Sequence, residues 1–300
     1  MTIVDLSPTV AAALAAGDAV VALESTVYST LGLPAPHNRQ VLDASDAAIR
    51  SAGAVPAMTA VVRGHPTIGI DDPTPILHAT DKVAARDLAV AMAQRWPVGV
   101  TTVGASLTLA AQTDIAVFAT GGIGGVHRGA WQNGDISGDL PVIAEHPIVT
   151  VCAGAKSFLD LPRTLELLET LGVAVIGFGT DELPAFTAAS SGLPVPHRCD
   201  DPAEIADVLR HRRALELGGV LVTVPPPQPI DQHVLDAATD EAEARADAAG
   251  VTGPARTPFV LAAIAELTDG ASVEANTALV ENNAAVAAQI AVQLAGPAST

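Results

Sequence analysis

The fold is decided by an alternation that is clearest in residues 148–177, which read IVTVCAGAKSFLDLPRTLELLETLGVAVIG. The segment begins with a β-branched, apolar run over 148–152 and ends with a second one over 173–177. Residues 162–171, between the two runs, have a helical pattern. Strands that are buried on both faces appear in sequences as continuous apolar runs. The segment therefore predicts a strand, a helix and a second buried strand.

The same alternation recurs along the whole chain. Further apolar runs that predict strands are 19–23, 57–63, 99–103, 115–119 and 219–224. Further helical stretches are 39–51, 82–95, 202–217, 230–249, 257–267 and 272–294. This order predicts an α/β fold, layered α/β/α, with a mostly parallel central sheet. The C-terminal helices are too apolar to stand alone, so we expect them to pack back on the sheet within a single domain over 1–300.

Composition and charge exclude several classes of protein. Hydrophobic residues make up 49% of the chain, but no apolar run approaches the roughly 18–20 residues of a membrane span, so we expect no membrane association. With 33 acidic and 15 basic residues, and no basic stripe, the chain is not expected to bind a nucleic acid polymer. The N-terminus has no basic region before its alanines, and the two cysteines fit no metal spacing. We therefore expect a cytoplasmic protein.

The basic residues are unevenly divided, because thirteen are arginine and only two, Lys82 and Lys156, are lysine. Codon bias explains a general shortage of lysine. The two lysines that remain then mark positions where arginine does not serve, since lysine can lose its proton and arginine cannot.

Polar groups follow several predicted strands, where α/β proteins bind their ligands. Glu24 stands directly after an apolar run, so its pKa is expected to be shifted unless it is only a loop or capping residue. Residues 120–129, TGGIGGVHRG, offer backbone N–H groups to an anion, with His127 beside them. A purely structural glycine turn is the alternative for this segment.

Two more clusters follow along the chain. Residues 135–139 read DISGD and supply the oxygen ligands that Mg²⁺ or Mn²⁺ prefers, although such a pattern is also common in turns. Lys156 lies among small residues after an apolar strand. Burial there would lower the pKa of its amine and make it a Schiff-base candidate, the alternative being a surface lysine.

Two helical segments carry less explicit signals. Lys82 is predicted to open a helix, where its charge opposes the helix dipole and so needs another reason to be there. Asn276 and Asn283 are one heptad apart on one face of an apolar helix. Buried asparagines need partners, so they either join helices by hydrogen bonds or contact a ligand.

Taken together, these blocks resemble the pseudouridine-5′-phosphate glycosidase family, also called the indigoidine synthase A-like family. The resemblance runs nearly end to end. It rests on LEST (23–26), PAPHN (34–38), residues 82–88, TTV (101–103), FATGGIGGVHRG (118–129), DISGDL (135–140), VCAGAKS (151–157), GFGTDELPAF (177–186), TPF (257–259) and EANTALVENNA (274–284). It implies an enzyme that reversibly cleaves the C–C glycosidic bond of pseudouridine 5′-phosphate to uracil and ribose 5-phosphate, with Mn²⁺ and as a homotrimer.

The resemblance also implies roles for individual residues. Lys156 would be the nucleophile, Glu24 the proton donor and Asp135 the metal ligand, directly or through water. The residues that would contact the substrate are Lys82, Thr102, Val103, His127, Ser137, Gly138 and Asp139, with one C-terminal asparagine, either Asn276 or Asn283.

These residue types suit the chemistry of a C-glycoside, which has no leaving heteroatom to protonate. Glu24 would protonate the ring oxygen, Lys156 would add at C1′, and the iminium would act as the electron sink for the bond to C5 of uracil. The chain departs from the family pattern over 29–32 and at Ala85, which bears on specificity. Two alternatives remain: a Schiff-base lyase on another sugar phosphate, and a non-catalytic sugar-phosphate-binding protein.

Overall fold

A computed structural model describes residues 3–296. The strands are β1 (Asp5–Leu6), β2 (Val20–Leu23), β3 (Val55–Val62), β4 (His65–Ile68), β5 (Lys82–Val83), β6 (Val98–Thr101), β7 (Val117–Ala119), β8 (Val149–Cys152), β9 (Ala174–Phe178), β10 (His197–Cys199) and β11 (Val220–Thr223). The helices are α1 (Pro8–Ala16), α2 (His37–Ser51), α3 (Thr74–Leu77), α4 (Leu88–Ala93), α5 (Val103–Ala110), α6 (Ala130–Asn133), α7 (Asp139–Glu145), α8 (Leu161–Thr170), α9 (Pro202–Ala214), α10 (Gln232–Ala248), α11 (Arg256–Leu267) and α12 (Ala271–Ala295).

The strands form one sheet in the order β1-β4-β3-β2-β7-β8-β11-β9-β10, with β6 paired to β3 and β5 paired to β6. Its central strands β2, β7, β8 and β11 are buried at every residue and pair in parallel. The described ladders are parallel except those that join β3 to β4 and to β6. The prediction of a mostly parallel sheet is confirmed.

The sheet carries a hydrophobic core on each face. Successive residues of a strand point to opposite faces, so Val21 of β2 packs with residues of α2, α9 and α12, while Ala22 packs with residues of α1, α5, α7 and α8. Helix α12 lies against α2 and α9 and reaches β2, β7 and β8. The layered α/β/α prediction and the packing of the C-terminal helix on the sheet are therefore confirmed.

The helix predicted over 82–95 is wrong in its first half. Lys82 and Val83 form β5, which pairs in parallel with Val100 and Thr101 of β6. A short 3₁₀ turn over Ala85–Asp87 follows, and α4 begins only at Leu88. The carbonyls of Asp81 and Val83 accept the N–H groups of Val100 and Thr102, and the side chain of Val83 is completely buried.

The strand predicted over 99–103 ends earlier than expected. Thr102 caps α5, because its hydroxyl accepts a hydrogen bond from the N–H of Ala105, and Val103 is the first residue of that helix. Within residues 3–296, no helix is long and apolar enough to cross a membrane.

Candidate active site

The C-terminal ends of strands β2 and β6 face each other at the centre of the candidate site. Strand β3 continues past the end of β2, and β6 returns antiparallel along the second half of β3. The ends of β2 and β6 therefore face each other at Thr59, whose hydroxyl bonds the carbonyl of Leu23 at 3.0 Å and the hydroxyl of Thr101 at 2.8 Å. This junction brings Glu24 close to the start of α5.

Glu24 follows β2 and is buried, with 7% of its surface exposed. The hydroxyl of Thr120, at the end of the neighbouring strand β7, donates a hydrogen bond to its Oε2 atom. Burial raises the pKa of Glu24 from 4.5 to about 7, although the positive charge of Lys156 and the Thr120 hydroxyl act in the opposite direction. The direction of this pKa shift is the one expected for a carboxyl group directly after an apolar strand, and Glu24 is buried although it lies in the loop that follows β2.

Both lysines of the chain lie close enough to Glu24 to lower its pKa by their positive charge. Lys156 lies in the loop after β8, where its backbone N–H donates to the carbonyl of Ile123 at 3.2 Å. Lys82 comes from β5 and is half-buried. Burial, together with the charge of Lys156, lowers the pKa of Lys82, whereas Glu24 and Asp139 raise it. Residues far apart in sequence thus form one charged cluster that contains two amines and two carboxylates.

Asp139, the first residue of α7, joins two loops of the site. Its Oδ1 atom accepts the N–H of Gly104 at 2.9 Å, and its Oδ2 atom accepts the N–H of Gly124 at 3.0 Å. The Ser137 hydroxyl accepts the N–H of Asp139 at 3.2 Å. A Cβ atom on Gly124 would lie 2.2 Å from Ser137 Oγ, so glycine is required there. Each carboxylate oxygen of Asp139 thus accepts a backbone N–H group from a loop beside the charged cluster.

The two asparagines of α12 differ in their contacts. Asn283 is fully buried, and its Nδ2 atom donates to the carbonyls of Thr120 at 2.8 Å and Gly121 at 3.2 Å. Asn276 is also buried, and its Oδ1 atom, like that of Asn283, has no hydrogen-bond partner. The Oδ1 atom of Asn276 lies 3.4 Å from the position that a Cβ atom on Gly121 would take. Asn283 therefore holds the start of the glycine segment by hydrogen bonds, and the Oδ1 atom of Asn276 is an acceptor that lies next to Gly121.

His127 and Asp135 lie beside each other at the end of the glycine segment. The N–H of His127 donates to the carbonyl of Asp135 at 3.0 Å, and the His127 ring lies 6.1 Å from the Phe158 ring. Burial lowers the pKa of His127, while the negative charges of Asp135 and Glu243 raise it.

The donor set around Asp135 bears on metal binding. Over residues 3–296, no group of three or more histidine, cysteine, aspartate or glutamate side chains is arranged to hold a metal ion. A hard divalent cation can also be held by a single carboxylate while it keeps several of its waters. The half-buried carboxylate of Asp135 fits that second mode and does not fit a closed protein cage.

The remaining predicted residues line the rim of the cluster. Thr102 is half-buried, and the side chain of Val103 is completely buried, so Val103 can meet a ligand only through its backbone. Gly138 is exposed, next to Ser137.

Sequence reasoning missed two residues of the site. It treated Thr120 only as the start of the glycine segment, although its position directly after a buried strand was a usable signal. It gave no role to Phe186, which lies against Gly122 and donates its N–H to the carbonyl of Ala153 at 3.0 Å. No local pattern marks Phe186, because its backbone φ of +61° appears only in the folded chain.

Comparisons with known proteins show which family this chain belongs to. The protein-family model described as "Indigoidine synthase A like protein" matches residues 9–293. The pseudouridine-5′-phosphate glycosidase of Herpetosiphon aurantiacus is 49% identical over 98% of this chain and 99% of its own. The Myxococcus xanthus protein of the same name is 50% identical over 94% of this chain and 95% of its own.

Two solved structures share the fold. The prealnumycin C-glycosynthase AlnA, in complex with ribulose 5-phosphate, has a TM-score of 0.88 and 34% identity, with 97% of each chain covered. An indigoidine synthase A-like protein from Thermotoga maritima also has a TM-score of 0.88, with 30% identity over 98% of this chain and 97% of its own. The chain therefore belongs to the indigoidine synthase A-like family of pseudouridine-5′-phosphate glycosidases, as the sequence motifs predicted.

Proposed function

We propose that this protein reversibly cleaves the C–C glycosidic bond of pseudouridine 5′-phosphate to give uracil and ribose 5-phosphate, through a Schiff base on Lys156. The observation that carries the proposal is Glu24, a buried carboxyl group with a pKa of about 7 whose electrostatic neighbours include both lysines of the chain. A group with this pKa can give and take a proton near neutral pH. The names of the relatives supply the substrate.

The proposed reaction begins at the ribose ring. The neutral amine of Lys156 adds at C1′ as the bond from C1′ to the ring oxygen breaks, and Glu24 gives its proton to that oxygen. The nitrogen, now a secondary ammonium, gives up its extra proton, which passes through the carboxylate of Glu24 to C5 of uracil. The nitrogen lone pair then forms the C1′ iminium while the electrons of the C1′–C5 bond return to the base. Water hydrolyses the iminium, which releases ribose 5-phosphate, regenerates the amine and returns a proton to Glu24. In the synthetic direction the same steps run in reverse.

The other residues bind the substrate in this proposal. Lys82 holds the phosphate, the most charged part of a small substrate. Several N–H groups of the glycine segment, among them those of Ile123, Gly124 and Val126, already donate within the protein and instead fix the shape of the site. The Oδ1 atoms of Asn276 and Asn283 both lack a partner, but the amide nitrogen of Asn283 already donates to Thr120 and Gly121, so Asn276 is the asparagine that we assign to the substrate. Asp135 would hold Mn²⁺ together with water molecules, and the bound ion would supply positive charge beside the sugar phosphate.

The decisive experiment uses the synthetic direction. Uracil and ribose 5-phosphate are incubated with the protein, with and without Mn²⁺, and the formation of pseudouridine 5′-phosphate is followed. Borohydride reduction with ribose 5-phosphate should add one sugar mass to Lys156. Because the chain has only two lysines, peptide mapping assigns that adduct without ambiguity. Absence of both the product and the adduct would refute the proposal.

One observation favours a second candidate. AlnA, which shares the fold, was solved with ribulose 5-phosphate and is named a C-glycosynthase. A Schiff-base lyase on another sugar phosphate would trap an adduct on Lys156 but form no pseudouridine 5′-phosphate. A non-catalytic binding protein would bind ribose 5-phosphate without an adduct and without turnover.

The proposal includes a cytoplasmic homotrimer, after the family resemblance. Light scattering coupled to gel filtration gives the mass directly. A mass of about three times the 30.2 kDa of the chain would support the trimer.

A further inference from the structure

We propose that Thr120 is a positioning residue, which fixes the carboxyl group of Glu24 and decides which of its two oxygens presents the transferable proton. The inference rests on the proposed role of Glu24 as proton donor. It assigns to Thr120 a task that the sequence motifs did not indicate.

The contact between the two side chains has a direction. The Thr120 hydroxyl donates to Oε2 of Glu24, so Oε2 is an acceptor. In a neutral carboxyl group both oxygens can accept a hydrogen bond, but the carbonyl oxygen is the stronger acceptor, so a donor at one oxygen favours the proton on the other. Oε1 therefore carries the proton that Glu24 would give to the ring oxygen of ribose.

The backbone of Thr120 is held on two sides. Its N–H donates to the carbonyl of Val151 in β8 at 3.0 Å, and its carbonyl accepts from Nδ2 of Asn283 in α12 at 2.8 Å. The residue is 2% exposed, so water does not compete for its hydroxyl. A connected path thus runs from α12 through the end of β7 to Glu24 at the end of β2. General acids act efficiently only when they are held within hydrogen-bond reach in one orientation.

The pKa of Glu24 depends on the charged groups around it as well as on the Thr120 hydroxyl. The groups that face it are Lys156 and Lys82, which lower its pKa, and Asp139, which raises it. The Thr120 hydroxyl also lowers the pKa, by bonding to the charged form. Loss of the hydroxyl should therefore release the orientation of the carboxyl group and raise its pKa further.

The test compares Thr120→Val, which keeps the shape and removes the hydroxyl, with Thr120→Ser, which keeps the hydroxyl. We expect kcat to fall about 10- to 100-fold in T120V, with KM nearly unchanged, because a hydrogen bond to an ionisable group is lost. The alkaline limb of its kcat profile should move to higher pH. T120S should retain kcat within about threefold and keep the wild-type pH profile.

Several outcomes separate positioning from a structural role. Equal kcat and pH profile in T120V and wild type would overturn the inference, and so would a folded T120S as impaired as T120V. If T120V fails to fold, T120A takes its place with the same expected results. If the wild type itself shows no turnover, the proposed function fails. The contact is then tested by NMR titration of Glu24, where a higher pKa in T120V supports the inference and an unchanged pKa overturns it.

Discussion

Asn283 on α12 donates a hydrogen bond from its side-chain amide to the backbone carbonyl of Thr120, 2.8 Å away, across 163 residues of sequence. The same amide reaches the carbonyl of Gly121. The C-terminal helix therefore does more than cover one face of the sheet. It holds the start of the glycine segment, and through Thr120 it acts on Glu24.

The two asparagines of α12 should respond differently to truncation. Asn283→Ala leaves the buried carbonyl of Thr120 without a donor, whereas the carbonyl of Gly121 keeps the N–H of Ala153, so we expect the free energy of unfolding to fall by about 1–3 kcal/mol. Asn276→Ala removes an oxygen that has no partner, so it should cost little stability and instead raise KM. Urea denaturation and steady-state kinetics of both variants measure the contrast. Equal loss of stability in the two would contradict the assignment.

The pKa of Glu24 predicts a pH dependence of activity. A proton donor must be protonated, so the cleavage rate should fall as the pH rises through about 7. The measurement is a kcat profile between pH 5 and 9. A rate that stays flat across pH 7 would show that Glu24 is not the proton donor.

Glu24 should also make stability depend on pH. Burial raises its pKa from 4.5 to about 7, so the folded protein holds the proton more tightly than the unfolded chain. The free energy of unfolding should therefore fall as the pH rises from about 4.5 to 7, by on the order of 3 kcal/mol at most, and remain at the lower level above pH 7. The side chain introduced by Glu24→Gln is neutral at every pH. The free energy of unfolding of this variant, relative to that of the wild type, should therefore be higher at pH 8 than at pH 4. Thermal denaturation at the two pH values tests this, and an equal difference at both would argue against it.

Asp139 and Asp135 form a matched pair of substitutions. In Asp139→Asn one carboxylate oxygen becomes an amide NH₂, which faces the N–H of Gly104 or Gly124, so we expect a loss of about 2–3 kcal/mol in unfolding free energy. Asp135→Asn should leave stability nearly unchanged but abolish the response of activity to added Mn²⁺. Denaturation curves and manganese titrations of both variants separate the two roles. If D135N still responds to Mn²⁺, Asp135 does not hold the ion.

The contact between Gly122 and Phe186 can be tested with a double-mutant cycle. A Cβ atom on Gly122 would lie 2.7 Å from the Phe186 ring, so Gly122→Ala should cost about 1–3 kcal/mol. In a Phe186→Ala background the ring is gone, and the same change should cost less. We expect a coupling energy of about 0.5–3 kcal/mol from urea denaturation, and additive effects would show that the two positions are independent.

Much of the site followed from local sequence. The apolar runs over 148–152 and 173–177 predicted β8 and β9 because a strand buried on both faces needs apolar residues throughout. Glu24 stood out because a charged residue directly after such a strand must be compensated, and Lys156 because it is one of only two lysines and lies among small residues after a strand. The structure brings these two residues together, as the motifs indicated.

Other features depend on contacts between distant segments. Lys82 lies in a strand because β6 offers it a partner, and no property of residues 82–88 reveals that partner. The choice between Asn276 and Asn283 required the position of the Thr120 carbonyl. Phe186 has a left-handed backbone and its ring lies against Gly122, which is a contact between segments far apart in sequence.

The sequence by itself determined the alternation of buried strands and helices, the family, and the residue types available for chemistry, because periodicity and motifs are properties of neighbouring residues. Only the tertiary structure decided that β2 and β6 meet head to head at Thr59, and that Thr120 orients its hydroxyl toward Glu24. Hydrogen bonds act over about 3 Å, so their partners are known only once the sheet has brought the strand ends together.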